Sequence, residues 1–206
     1  AIAMSIIFYS YRVLKKDKTI KFILLVLLAA TFHTTALIFL VVYFFRNFKM
    51  NFKSYLIYII VGGIVIVLAN PILNFLFSRF STIDYERSHN GGYSLLILLI
   101  VIVILATILK ANDKSEEKNS LLLYNIVLIG IYVQILAINA SMFARVSYYF
   151  YMFLILLIPE VISVLNKKSV RNVAIITVII LTGYFYYSEL SEDLSGIVPY
   201  TFYWAY

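Results

Sequence analysis

Arg145 stands at the start of a long apolar run, in ASMFARVSYYFYMF (140–153). If helix already runs there, Tyr148, Tyr149 and Met152 follow at offsets of three, four and seven and share its face. A guanidinium beside phenols at a membrane surface suits a phosphate or pyrophosphate with a sugar attached. The same residues would equally serve as a snorkelling Arg in an interfacial tyrosine belt. His33 lies mid-way through FILLVLLAATFHTTALIFLVVYFF (22–45), a stretch with no formal charge. An imidazole so deep in apolar sequence faces a cavity or the interior of a bundle, where it acts as acid, base or hydrogen-bond donor. Its plainer role is structural, bonded to a neighbouring carbonyl with help from Thr31, Thr34 and Thr35. A third group, Asp84, Tyr85, Glu86, Arg87 and His89, precedes Asn90-Gly91-Gly92. It supplies acids, a base and a cation beside a flexible turn. Asp84 or Glu86 would suit deprotonation of a sugar hydroxyl, and an ordinary solvated loop with internal ion pairs is the competing reading. Glu160, after Pro159, is the one acid well inside a hydrophobic run, and a structural role is expected for it.

Several chemistries are excluded at once. The chain has no Cys, and its two His residues are far apart without HExxH or Cys/His spacing, so no metal centre is expected. Walker and Rossmann glycine motifs are absent, and no cofactor is expected. The net charge of +7 is spread over short loops. That is a topology signal rather than a nucleic-acid footprint.

The elements that must position these groups follow from composition. With 63% hydrophobic and 13% charged residues, the chain is too apolar for a water-soluble domain of its size. Continuous apolar runs of membrane length predict helices rather than barrel strands. Spans are expected near 54–69, ended or kinked by Asn70-Pro71, then near 93–109, 121–138, 148–165 and 173–187. Residues 72–94 form the longest polar connection. The segment 1–11 is too short to span and reads as the tail of a helix. The chain is therefore expected to be an N-terminally truncated fragment forming a single transmembrane domain over 1–206, with about six or seven spans.

Phe22 to Phe45 decides which side every later loop faces. It is long enough for one span, or it turns back at the Thr31–Thr35 knot as a re-entrant helical pair. As one span it divides the Lys and Arg residues eight against nine. As a re-entrant pair it divides them fourteen against three, which the positive-inside rule prefers. Either layout keeps the 72–94 loop, the 139–145 turn and the acidic, Tyr/Trp-rich tail on one side.

Residues 2–45, with Ile2-Ala3, a Lys-rich turn and Ala-x-x-Phe-His-Thr-Thr-Ala-Leu-Ile, resemble the EpsG family of bacterial polysaccharide-biosynthesis membrane proteins. ARVSYYFYMFLILLIPEVI (144–162) looks like the family's Arg-x-x-x-Tyr-Phe stretch, and Pro199-Tyr200 fits as well. The family is similar to Wzy-type polymerases, which join oligosaccharide repeat units carried on undecaprenyl pyrophosphate. The resemblance implies a metal-independent, multi-spanning, GT-C-like glycosyltransferase at the outer face of the bacterial plasma membrane. Its partners would be the lipid-linked oligosaccharide, the bilayer and other polysaccharide-synthesis membrane proteins. The candidates carried over are His33 and Arg145, with Arg87 added from the outer loop. Tyr148, Tyr149 and Tyr85 would contact sugars, beside Asp84 and Glu86. The rival readings are a non-catalytic transporter or flippase of the same lipid-linked substrate, and a structural subunit of a synthesis complex.

Overall fold

In the computed structural model, residues 1–48, 52–80, 93–111, 118–139, 142–165 and 167–191 are described. Among them every regular element is helical. The chain divides into two compact units, Ala1–Val161 and Ile162–Tyr206.

The first unit opens with two short helices, α1 (Ile2–Lys15) and α2 (Thr19–Phe32). The turn between them closes without glycine. Asp17 takes a left-handed conformation with φ 56°. Its N–H reaches the Leu14 carbonyl at 2.9 Å, and the Lys18 N–H reaches that of Val13 at 3.3 Å. These are the paired bonds of a Schellman stop, with Asp in the position Gly usually holds. The helices bury facing stripes: Ala3, Ile7, Ser10, Tyr11 and Leu14 on α1, and Phe22, Val26 and Ala29 on α2.

At His33 the helix stops. Its backbone is extended, with φ −157° and ψ 109°. The Thr31 hydroxyl bonds back to the Leu28 carbonyl at 2.7 Å, a side-chain competitor for the helical ladder. Beyond the break, Thr34–Leu40 winds as a 3-10 helix and passes into α3 (Val41–Phe45). Three residues per turn put Ala36, Phe39 and Val42 on one edge, and all three are fully buried. The chain has now doubled back. Phe39 packs against Phe22 with ring centroids 6.1 Å apart, and Arg46 Nη1 donates to the Thr19 hydroxyl at 2.9 Å. A straight helix would hold those two residues roughly 40 Å apart. The 22–45 stretch is thus a broken hairpin.

Four further helices complete this unit: α4 (Phe52–Phe80), α5 (Tyr93–Ala111), α6 (Lys118–Asn139) and α7 (Met142–Tyr151), with α8 (Leu154–Ser163) following. Two expectations need correction. Pro71 does not end its helix: α4 runs through it to Phe80. Proline removes only the donor that would serve the carbonyl four residues back, and a long apolar helix tolerates that loss. The single span at 148–165 starts earlier, at Met142, and is pinched in two. The Phe153 N–H closes on the Phe150 carbonyl at 3.2 Å, a three-residue turn. Phe143–Ser163, counted through the pinch, is the one stretch among the described residues long and apolar enough to cross a membrane. Shorter apolar helices lie at 19–32, 34–45, 56–71, 95–107 and 122–138.

Buried on nearly every side, α6 is the central helix, and it packs against α3, α4, α5 and α7. Its polar residues are spent on joints. The buried Asn125 donates from Nδ2 to the carbonyls of Phe45 (2.6 Å) and Phe48 (3.1 Å), and it accepts from the Tyr58 hydroxyl at 2.7 Å. Tyr132 donates to the Tyr58 carbonyl at 2.7 Å. The end of the hairpin is therefore tied to both α6 and α4. Gln134 accepts a hydrogen bond from the Tyr151 hydroxyl of α7. One turn earlier, α6 presents Gly130 to α7, where an added Cβ would sit 2.8 Å from that of Phe150. Apolar surface gives helices no drive to leave lipid, so such close approach carries much of the packing. Gly130→Ala is expected to cost about 2 kcal/mol through overpacking. Gly63→Ala, where no described atom lies within 4 Å, should be near neutral. Thermal unfolding in detergent compares them, and equal melting temperatures would contradict the close approach.

The second unit contains α9 (Lys168–Ser191), with basic residues in its first turn. Thr177 and Thr182 each bond back to the carbonyl four residues earlier, at 2.9 and 2.8 Å, so neither hydroxyl is left unpaired on an apolar helix.

Candidate functional site

The hairpin break presents His33 against α7. The imidazole meets the Tyr149 ring edge-on, with centroids 6.5 Å apart. The Thr35 hydroxyl lies 2.7 Å from Nδ1. Among the described residues this is the hydrogen bond given to the ring, and it engages Nδ1 rather than Nε2. If Thr35 accepts the Nδ1 proton, Nε2 is a base; if Thr35 donates, Nε2 carries the proton and is a donor. The expected structural bond to a neighbouring carbonyl is replaced by this threonine contact. His33 itself is exposed.

Fourteen residues of α2 separate the basic turn from the break, roughly 21 Å along the helix axis. Along α7 and α8 the contacts descend in the same order. Tyr149 meets His33, Phe153 meets Phe8 and Tyr11, and Glu160 lies within electrostatic reach of the Tyr11 hydroxyl. Arg145 therefore lies one turn, about 6 Å, beyond the level of His33 and away from the basic end.

The shared face expected for α7 is divided. Val146, Tyr149, Phe150 and Phe153 are buried, whereas Arg145 and Tyr148 are exposed and Met152 is half-buried. Tyr149 is the edge of the buried side nearest Arg145. It is a wall shared by the arginine's turn and the histidine, and Tyr148 is the phenol left open. The structure thus brings His33, Thr35 and Tyr149 together, with Arg145 and Tyr148 on the adjoining turn. Arg87, Asp84, Tyr85 and Glu86 lie outside the described residues. Of the three threonines expected to help hold His33, Thr35 is the one that bonds its ring. The joints of Asn125 and Gln134 were signalled only by being amides in an apolar run.

Apolar outward faces on α4 and α5, among them Ile59, Ile66, Val67, Ile97 and Ile104, mark an all-helical bundle with an apolar exterior, the pattern of a membrane protein. The chain belongs to the EpsG family, whose family model matches residues 1–202. Membership gives it a role in polysaccharide biosynthesis. No curated protein and no solved structure matches it.

Proposed function

We infer that the chain polymerises capsular or exopolysaccharide repeat units carried on undecaprenyl pyrophosphate, as a multi-pass protein acting at the outer face of the bacterial plasma membrane. The observation that carries this reading is the hairpin. Its return brings Arg46 beside Thr19, next to the first basic cluster, and the fourteen-to-three division of Lys and Arg supports a cytosolic placement of that end. The 22–45 stretch is re-entrant in the bilayer on this reading, and the His33 break opens toward the outer side within a bundle of six or seven spans.

The chemistry follows from the groups. The acceptor hydroxyl oxygen bonds to the anomeric carbon of the donor sugar as the bond from that carbon to the pyrophosphate oxygen breaks. The hydroxyl proton passes to His33 Nε2, in the tautomer that Thr35 holds by accepting from Nδ1. The lipid pyrophosphate leaves with its new negative charge beside Arg145, whose forked guanidinium suits two phosphate oxygens. Tyr148 contacts a sugar ring, and Tyr149 keeps the imidazole in place. Arg87, Tyr85, Asp84 and Glu86 are proposed to complete the site from the outer loop.

Purified full-length protein in liposomes, supplied with repeat-unit lipid, is expected to yield glycans longer than one unit. Movement of intact repeat-unit lipid between leaflets without elongation would overturn the polymerase in favour of a flippase.

A further inference from the structure

The return of the hairpin builds a second charged feature at the end opposite His33. Arg12, Lys15, Lys16, Lys18 and Lys21 flank the α1–α2 turn and are exposed. Within that segment Asp17 is the one carboxylate. Arg46 is drawn into the same cluster by its bond to Thr19, and its guanidinium lies 4.6 Å from the centre of the Tyr43 ring. Like charges three and four residues apart repel, and the fold adds another from a distant part of the chain. An anion relieves that repulsion. The apolar neighbours narrow its kind: Ile20, beside Thr19, and Phe44, two residues before Arg46, are each 75% exposed. In sequence they lie within two residues of Lys21 and Arg46, cations of the same end of the hairpin. A soluble phosphate would use the charges and leave these side chains bare, whereas a phospholipid would cover both.

The geometry points to a binding site for an anionic phospholipid on the basic end of the hairpin, with the headgroup phosphate on the Lys15–Lys21 turn and Arg46, and the acyl chains along Ile20 and Phe44. Such a lipid would brace the open end of the hairpin, where its two arms meet through Thr19 and Arg46. The site is independent of the reaction assigned to the opposite end.

Native mass spectrometry of the full-length protein in detergent tests this, with phosphatidylglycerol and phosphatidylcholine titrated separately. Wild type should retain phosphatidylglycerol in clear preference. Each Lys near a membrane surface strengthens anionic-lipid binding about fivefold, so Lys15→Ser/Lys18→Ser/Lys21→Ser should weaken it by roughly 100-fold. Lys168→Ser/Arg171→Ser, which removes exposed cations from α9, should leave it unchanged. If the triple variant does not fold, Lys18→Ser and Lys21→Ser singly should each show about a fivefold loss. Equal retention by the turn variants would overturn the site. Displacement of the lipid by inorganic phosphate would reduce it to a simple anion site, and preference for a polyglutamate peptide would make it a protein-docking surface. Either result contradicts the proposal.

Discussion

Arg145→Lys is expected to shorten the glycan ladder nearly as far as Arg145→Ala does, because on the proposed mechanism charge alone does not supply what a leaving pyrophosphate needs. Lysine offers a point charge, and arginine offers two parallel donors in a fixed fork. Arg145 sits on the exposed side of α7, at the border with the buried Tyr149, so neither substitution opens the core. Loss of a donor aimed at developing negative charge lowers a rate by about 100- to 1000-fold. In cells that appears as polymer collapsed to the first few repeat units, with protein abundance unchanged. Full chain length from the lysine variant would remove Arg145 from the chemistry and leave it as an interfacial anchor.

Phe153→Ala is expected to be the most destabilising single truncation in the first unit. The side chain is fully buried and meets three rings from two elements, Phe8 at 5.4 Å and Tyr11 at 5.3 Å on α1 and Phe39 at 5.5 Å on the 3-10 segment. Phe39 in turn touches Phe22 and Phe150. The cluster joins α1, the returning arm of the hairpin and the α7–α8 pinch. Removing a ring from such a site costs about 3 to 4 kcal/mol, mostly as cavity and lost ring contact. Thermal unfolding in detergent should show a fall in midpoint far larger than for Phe44→Ala, whose ring is 75% exposed. Phe153→Leu should recover part of it. Equal midpoints for Phe153→Ala and wild type would mean that the cluster does not hold the hairpin to α7.

Much of this was legible in the residues, for identifiable reasons. The doubling-back of 22–45 was visible in where Lys and Arg fall, because charge sidedness survives without coordinates. The break at His33 was visible in the run of Thr residues around it, which compete for backbone bonds. That helix already runs through Arg145 was legible as a condition, and the start of α7 at Met142 meets it. What could not be read was neighbourhood. Spacing put Tyr148 and Tyr149 on one face with Arg145, but which side of α7 is covered depends on the hairpin returning against it. Pro71 suggested an end to its helix, and a long apolar helix absorbed it. Asn125 and Gln134 showed no partner in sequence, since those partners are 17 to 80 residues away in the chain.

A double-mutant cycle on polymerisation in liposomes tests most directly whether His33 and Arg145 serve one reacting bond. His33→Ala and Arg145→Ala are measured singly and together at saturating repeat-unit lipid. Residues that act as a unit are strongly non-additive, so the double variant should be little slower than the worse single variant. If the two losses multiply, or if His33→Ala polymerises at the wild-type rate, the shared site at the hairpin break is contradicted.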